Sequence, residues 1–297
     1  MIPFVRQMTF EYGRADQVSP LIRRVIANNP GPFTFHGTGT YVVGQGEVAV
    51  IDPGPMDGDH LEALRRATEG ERIAVILVTH DHADHAPLAY ALAQESGAPV
   101  IGCEPHPDRQ APMPGVEEGL DRLYRPDRTP ADGETIAGDG WTLRTVATPG
   151  HTANHLCFAL EEENALFTGD HVMGWSTTVV SPPDGNMTHY YASLRKVIAG
   201  AYATLWPTHG PPVTKPGPFL KAYLNHRLRR EAHILVALRR GPSTVDALVR
   251  EVYVGLDKRL VRAASASLLA HLLHLVGEGR VLSDGDPGFE STFEVAG

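Results

Sequence analysis

Three histidines and two aspartates occupy positions 80 to 85, within the stretch VTHDHADHA. An apolar run, AVILV, precedes them directly. Imidazole and carboxylate groups together suit Zn²⁺, Mn²⁺ or Fe²⁺, and the cluster holds no thiolate, which argues against a structural zinc site of the cysteine type. The stretch therefore predicts metal ligation by His80, His82, Asp84 and His85.

Further histidines and aspartates follow four other apolar runs, at Asp52, His151, Asp170 and His209. A catalytic zinc takes three protein ligands and keeps one position open for water. Seven donors exceed one such site but fill two if one carboxylate bridges. Two neighbouring cations lower the pKa of a water between them, so hydroxide is available at neutral pH. The predicted donors are His80, His82, Asp84, His85, His151, Asp170 and His209.

The alternative is that these histidines have no chemical role, because a short histidine-rich run can be a solvated loop. Isolated histidines such as His60, His226 and His271 fit surface or core positions without any chemical role. A solvated loop does not explain why four further His and Asp residues end four separate β-like runs. The pattern favours a metal site.

The elements that must position these side chains are short strands and amphipathic helices. Five apolar runs of strand length each lead into a polar cluster with glycine or proline. Helix-like segments at 60–70, 87–97 and 188–200 lie between the runs and end at glycine. TYVVGQGEVAVID predicts a hairpin, which would bring His36 and Gly39 to the mouth of the site. The loop 171–187, with His171 and Trp175, is expected to line the pocket.

The segment from about residue 217 onwards has a different character. It shows three helical patterns and then two short β candidates around a GDPG turn, which is a winged-helix plan. Residues 221–297 contain 11 Lys or Arg and nine Asp or Glu, whereas residues 1–220 contain 15 and 26. This shift predicts two domains, a catalytic domain over 1–216 and a winged-helix-like domain over 217–297.

Composition bounds the remaining options for the 297-residue chain. A net charge of −9 argues against a protein that coats nucleic acid over its whole surface. The sequence shows no signal-peptide pattern and no long uninterrupted apolar run, so we expect no membrane association. The two cysteines form no disulfide framework and fit buried apolar positions. A cytoplasmic location is the expectation.

The motifs IDPG, THDHADH, TPGHT, FTGD and THG resemble, in this order along the chain, those of the metallo-β-lactamase superfamily. The resemblance covers about residues 35–212 and implies an α+β class protein, an αββα sandwich with two metals at its strand ends. It implies that His80, His82 and His151 hold one metal, and that Asp84, His85 and His209 hold the other. Asp170 would bridge both, so Asp84 and Asp170 are the expected catalytic carboxylates. Asp52 would orient the ligands from behind.

Finer features resemble the β-lactamase-like protein 2 group. They are GTGTYVVG, the run from GHTANHLCFALEEENALFTGD to STTVV, and the winged-helix-like tail. The sequence departs from that group's pattern at Gly39 and Asn154, where the group has Asn and Asp. His155 keeps the group's histidine and is either a core residue behind His151 or a substrate contact.

The resemblance implies a metal-dependent hydrolase, with two substrate classes open. One is single-stranded RNA, because animal members of the group are reported endoribonucleases and the tail carries a basic cluster. The other is a small-molecule thioester, ester or lactone, which the acidic residues 1–220 favour. The expected metals are two Zn²⁺, with Mn²⁺ and Fe²⁺ as alternatives. His36, His171 and Trp175 are the expected substrate contacts, and a homodimer is a further expectation. The basic cluster comprises Arg227, Arg229, Arg230, Arg239, Arg240, Lys258, Arg259 and Arg262.

Overall fold

The computed structural model describes residues 2–105 and 119–297, and within them two β-sheets face each other across a shared apolar core. The first sheet has six strands in sequence order. Its first four strands are antiparallel, and the last two join in parallel. The strands are β1 (Ala15–Gln17), β2 (Ile22–Ile26), β3 (Gly39–Gln45), β4 (Glu47–Ile51), β5 (Arg72–Val78) and β6 (Val100–Gly102). Two helices pack on this sheet, α1 (Gly58–Ala67) and α2 (Leu88–Ser96).

The second sheet has five strands in the order β11-β10-β9-β8-β7. Only β10 and β11 run parallel. The strands are β7 (Thr135–Gly138), β8 (Trp141–Ala147), β9 (Leu156–Leu160), β10 (Ala165–Gly169) and β11 (Thr204–Pro207), and α3 (Met187–Ala199) covers the outer face. Helices outside two facing sheets make the αββα sandwich that the resemblance implied.

The core between the sheets follows from the alternation of side chains along each strand. Tyr41 and Ile76 from the first sheet pack with Phe158 and Phe167 from the second, and all four are buried. Side chains of β9 and β10 on the other face pack under α3. Both faces of the central strands are therefore covered, which explains their nearly continuous apolar sequences.

The C-terminal segment is a winged helix. It comprises α4 (Pro216–Leu238), β12 (Ser243–Thr244), α5 (Val245–Val252), a 3-10 turn (Lys258–Leu260), α6 (Val261–Gly277), β13 (Val281–Ser283) and β14 (Thr292–Val295). The wing has three strands rather than the two expected, because Ser243 and Thr244 pair with β14 just before Thr244 caps α5.

Helix α4 belongs to both halves of the molecule. Its first turns bury Phe219 and Tyr223 against α3 and the second sheet. Its last turns bury Ile234 and Leu238 in the core of the winged helix. The predicted boundary after residue 216 therefore coincides with the start of a helix that packs on both sides.

One helical stretch, Lys258–Gly277, is long and apolar enough by composition to cross a membrane. Its mean hydropathy is 1.4, and 61% of the tested window is buried inside the protein. The small and apolar side chains of α6 form the centre of the winged-helix core, which accounts for this composition.

Candidate metal centre

Five strand ends deliver the predicted polar side chains to one edge of the sandwich. The strands are β4, β5, β8, β10 and β11, the five that the sequence predicts. Each is followed directly by a turn, so the next side chains leave the sheet together. All seven predicted ligands are buried, with at most 6% of any residue exposed. They are His80, His82, Asp84, His85, His151, Asp170 and His209.

His80, His82 and His151 form a first group of donors, and one ring nitrogen from each lies within 4.8 Å of the others. His80 Nε2 lies 3.0 Å from His82 Nδ1. His80 and His82 follow β5, whereas His151 comes from the turn after β8. The group has the all-imidazole composition of one zinc-type site.

Asp84, His85 and His209 form a second group within the same distance limit. The Asp84 Oδ2 atom lies 3.1 Å from His209 Nε2 and 3.5 Å from His85 Nε2. This group mixes carboxylate with imidazole, as a site for Zn²⁺, Mn²⁺ or Fe²⁺ can.

Asp170 lies between the two groups. Its Oδ1 atom is 3.4 Å from His209 Nε2 and 3.7 Å from His85 Nε2. Its Oδ2 atom is 3.9 Å from His151 Nε2. One carboxylate therefore presents an oxygen to each group, the arrangement expected of a bridging ligand.

The hydrogen bonding at this edge tests whether the donors fit metal ions. Within residues 2–105 and 119–297, the buried His85 Nε2 and Asp170 Oδ1 atoms have no hydrogen-bond partner. Buried polar atoms are nearly always satisfied, so unsatisfied ones need an explanation. Both atoms point into the space shared by the donors, and a cation there would satisfy them. The residues therefore fit divalent metal ions.

Protonation differs between the two groups. Burial and the neighbouring imidazoles lower the pKa values of His80 and His82 well below the usual range, so both are neutral and ready to ligate. Burial opposes charging of His85 too, but Asp84, Asp52 and Asp170 outweigh it and raise the pKa of His85 to about 10. In the second group His85 therefore carries an extra proton, which it must release before it can bind a metal ion.

Hydrogen bonds from behind orient the ligating rings. His85 Nδ1 lies 2.9 Å from Asp52 Oδ2, His151 Nδ1 lies 2.8 Å from the Val179 carbonyl, and His209 Nδ1 lies 3.3 Å from the Gly37 carbonyl. Each of these nitrogens carries the proton, because its partner is an acceptor. In the neutral form of each ring the Nε2 lone pair is then left for a metal, and His85 reaches that form when it gives up its second proton.

Asp52 is the hub of this outer layer. Its Oδ1 accepts from the Thr79 backbone N–H at 2.8 Å. Its Oδ2 accepts from the Thr79 and Thr208 hydroxyls at 2.9 and 2.8 Å, as well as from His85. Asp52 adopts a φ of 49°, a left-handed conformation that aspartate tolerates better than most residues. One carboxylate thus joins the ends of β4, β5 and β11, which belong to different sheets.

His155 supports Asp170 rather than touching the donor groups through a ring nitrogen. Its Nε2 accepts from the Asp170 backbone N–H at 3.1 Å, and its Nδ1 lies 2.9 Å from the Thr148 hydroxyl. The ring is fully buried. Of the two interpretations left by the sequence, the structure favours the core residue that positions a ligand.

The donors open onto a narrow pocket with a free volume of about 20 Å³, which we call the metal-ligand pocket. Three apolar side chains line it. They are Phe33, Met173 and Val179. The same three residues also border a larger cavity of about 310 Å³ between the sandwich and the winged helix. Met173 and Val179 lie in the loop 171–187, which was expected to line the pocket, although neither residue was singled out. Phe33 was not expected there, because a single apolar residue in a loop carries no recognisable pattern.

The three predicted substrate contacts lie in different places. Trp175 lines the larger cavity and stacks on Phe35, with ring centroids 4.7 Å apart. His36 packs against Phe35 and Phe10 and lines neither the narrow pocket nor the larger cavity. His171 was predicted at the pocket, but it is fully buried beside Tyr190, because the chain turns inward after Asp170.

The two departures from the group's motif are accommodated locally. Asn154 donates to Asp81 Oδ1 at 3.2 Å and to the Glu104 carbonyl, so an aspartate there would place two carboxylates together. Gly39 is buried, and a Cβ added to it would lie 3.1 Å from the Thr208 carbonyl oxygen. Gly39 is therefore packed against Thr208 and does not border the mouth.

Both cysteines are buried, with 0% of either residue exposed. Burial raises the pKa of Cys157 to about 12, so its thiol stays protonated at neutral pH. Neither cysteine has the exposed, electropositive surroundings of a nucleophile.

Two protein-family models match the chain. The model described as metallo-beta-lactamase superfamily matches residues 34–209. The model described as beta-lactamase associated winged helix domain matches residues 244–290.

Curated relatives with similar sequences carry different names. A beta-lactamase-like protein 2 homolog of Caenorhabditis elegans is 34% identical over 75% of this chain and 73% of its own length. An atrochrysone carboxyl ACP thioesterase of Aspergillus chevalieri is 32% identical over 94% of this chain and 88% of its own length.

Solved structures share the whole fold. A metallo-beta-lactamase family protein of Thermus thermophilus covers 94% of this chain and all of its own, with a TM-score of 0.75 and 24% identity. A beta-lactamase domain protein of Burkholderia ambifaria covers 99% of this chain and 97% of its own, with a TM-score of 0.77 and 19% identity. At these identities the likeness supports the fold alone.

Proposed function

Because this chain belongs to the metallo-β-lactamase superfamily and is a hydrolase, we propose that it cleaves small-molecule acyl thioesters or esters in a metal-dependent reaction. The observation that carries the proposal is the approach to the ligands. A narrow pocket walled by Phe33, Met173 and Val179 leads to the donors, and an apolar cavity adjoins it. The adjoining cavity, with about 310 Å³, is large enough for a small acyl group, and its apolar lining suits such a group better than a solvated polymer.

The residues present divide the work between them. His80, His82 and His151 would hold one divalent ion, Asp84, His85 and His209 the other, and Asp170 both. When bound, such ions supply an acidified water as nucleophile and polarise the reacting carbonyl. The apolar walls exclude bulk water from the pocket, which strengthens electrostatic interactions there.

The arrangement of the basic residues favours a small substrate over RNA. Arg227 is buried and lies 5.3 Å from the Tyr190 ring centroid. Arg240 and Arg259 pair with Glu251 and Asp257 at 2.6 and 2.7 Å. A phosphate-backbone grip needs unpaired charges on one exposed surface, whereas Arg227 lies inside the protein and the other two arginines are each paired with a carboxylate. The naming of several relatives as ACP thioesterases supports the same choice.

Incubating the metal-loaded protein with two substrate panels tests the proposal. One panel contains acyl thioesters and lactones, and the other contains labelled single-stranded RNA at low and high salt. We expect hydrolysis in the first panel, loss of that hydrolysis with a chelator, and its recovery when metal is added back.

A matched Asp84→Asn variant, purified in the same way, is the control for contaminating nucleases and esterases. Cleavage of RNA by the parent protein but not by the variant, with every thioester and lactone left intact, would overturn the proposal in favour of the endoribonuclease. Metal analysis of the same preparations reports how many ions the parent protein binds and which they are.

A further inference from the structure

The larger cavity lies where the winged helix meets the catalytic sandwich. We call it the interdomain cavity, and its walls come from the loops around Phe33 and Trp175 and from α4 and α6. Its free volume of about 310 Å³ falls within the range of small-ligand pockets. Phe33, Met173 and Val179 belong to this cavity and to the metal-ligand pocket alike. The two spaces therefore adjoin, and these three side chains lie at their common boundary.

Most of the interdomain cavity is apolar. Leu256 and Leu260 line it from the segment before α6. Ala263, Ala264 and Ser267 line it from α6 itself, where the spacing places them on one face of the helix. These small side chains leave space that larger residues would fill. A contiguous apolar wall of this kind suits a hydrocarbon or aromatic group.

The polar groups at the cavity are donors with a positive charge. Arg227 and Arg230 both line it, and no carboxylate appears among its lining residues in the described parts of the chain. Arg227 donates to the Thr178 carbonyl, and Arg230 donates to the Val252 carbonyl. A guanidinium carries five N–H donors, so these bonds leave others for a ligand. Arg230 is held in place by the Tyr253 ring, with its guanidinium carbon 3.8 Å from the centroid.

His226 adds a neutral polar group to the same wall. Burial lowers its pKa to about 4, and the charges of Arg227 and Arg230 act in the same direction. At neutral pH the positive charge of the wall therefore comes from the two arginines alone.

We infer that the interdomain cavity binds the acyl part of the substrate, which is an apolar acyl group with a carboxylate or similar oxygen acceptor at its far end. This inference rests on the proposed hydrolase function and names its substrate class. The acyl body lies against α6, the distal oxygen meets Arg227 and Arg230, and the thioester carbonyl reaches the metal-ligand pocket past Phe33. Residues of the winged helix then determine which acyl groups the enzyme accepts.

The reaction is an ordinary hydrolysis and needs no further co-reactant. The oxygen of water forms a bond to the acyl carbon, and the carbon–sulfur bond breaks. The sulfur takes one proton of the water and leaves as a thiol, and the acid product holds the carbonyl oxygen, the water oxygen and the second proton. Together the two products account for all atoms of the thioester and one water.

Three thioesters of one short thiol separate the features of the cavity. They are the acetyl, the octanoyl and the monothioester of octanedioic acid, which differ in apolar length and in a distal carboxylate. We expect the kcat/KM values of the parent protein to rise in that order, with the octanedioyl compound at least tenfold above acetyl. Equal values for all three would overturn the inference and leave the hydrolase function standing.

Two variants test which residues of the cavity cause the dependence of kcat/KM on acyl length and on the distal carboxylate. Ala264→Phe should fill the cavity and lower kcat/KM for both long thioesters at least tenfold, with the acetyl value kept. Arg230→Gln should remove the advantage of octanedioyl over octanoyl. Ser265→Leu, on the other side of α6 beside a separate surface cavity, is the matched control and should change none of these values. Should Ala264→Phe unfold, Ala263→Leu makes the same test at the neighbouring wall position.

Product binding gives a readout that does not depend on catalysis. Octanedioate and octanoate are titrated into chelator-treated protein. The tryptophan fluorescence, to which Trp175 in the cavity wall contributes, is followed, with calorimetry as a second signal. We expect saturable binding, tighter for octanedioate, that Ala264→Phe abolishes. Binding without any thioester hydrolysis would contradict the proposed function and leave the cavity assignment intact. Absence of binding, or binding that Ala264→Phe does not affect, would contradict the cavity assignment.

Discussion

The metal-ligand pocket and the interdomain cavity share three lining residues but otherwise consist of different types of side chain. The pocket is lined by histidines and aspartates from four strand ends, and outer hydrogen bonds hold His85, His151 and His209 in place. The cavity collects apolar side chains from loops and helices, with Arg227 and Arg230 as its charges. Under the proposed function, reaction type and substrate choice reside on separate elements of this protein.

Asp170→Ala should have the largest effect, because one side chain serves both donor groups. We expect hydrolysis to fall to background and the metal content to drop. Activity assays with elemental analysis on the purified variant check this.

Ala264→Phe alters the interdomain cavity alone, so we expect this variant to keep the metal content of the parent protein. Full metal content and activity in Asp170→Ala would show that this carboxylate is not a ligand and that the two regions do not divide in this way.

Asp52→Asn should have an intermediate effect. The amide offers one acceptor oxygen where the carboxylate meets His85, Thr208 and Thr79, so at least one donor loses its partner. Loss of such outer hydrogen bonds typically costs about 10- to 100-fold in metal affinity or activity. Competition with a fluorescent chelator measures the affinity, and circular dichroism confirms folding. An unchanged affinity would mean that Asp52 joins the sheets without tuning the metal centre.

His226 should give the smallest effect, and only in acid. Its pKa of about 4 in the folded protein lies below the ordinary value of 6.5, so the unfolded chain binds the proton more readily. The contribution of this residue to the free energy of unfolding is therefore complete above pH 6.5 and is lost as the pH falls towards 4. Because His226 is partly exposed, solvent screens the effect.

Thermal unfolding at several pH values compares the parent protein with His226→Gln. The variant should lose less stability than the parent between pH 6.5 and 4, and the two should behave alike above pH 7. A steeper loss in the variant would show that His226 is not held neutral at the cavity wall.

The sequence predicted the donors because their motifs are local. Each ligand directly follows an apolar run, and a strand must end where such a run meets glycine, proline or a polar cluster. Asp84, His151 and Asp170 could therefore be placed at one sheet edge before any coordinates were known. Strand β2 was not predicted, because Arg23 and Arg24 interrupt its apolar pattern.

The interdomain cavity could not be predicted in the same way. Phe33, Leu260 and Ala264 lie far apart in the chain, and none has a chemistry that marks it as a pocket residue. His171 shows the related error of assigning a role by proximity in sequence, since it follows Asp170 but lies in the core beside Tyr190. The positions of such residues depend on tertiary packing rather than on any local pattern.

The hydrogen bond from Thr208 to Asp52 has a consequence for how the protein is made. It joins residues 156 positions apart and ties together the two sheets. At translation rates of about 5–20 residues per second, roughly 8–30 s separate the synthesis of these two residues. The nascent chain therefore carries four of its seven ligands, His80 to His85, long before His209 exists. A cation captured at that stage would meet a half-built centre, and only the docking of the last strand completes it. The complete set of metal ligands is therefore present only after the sandwich has closed.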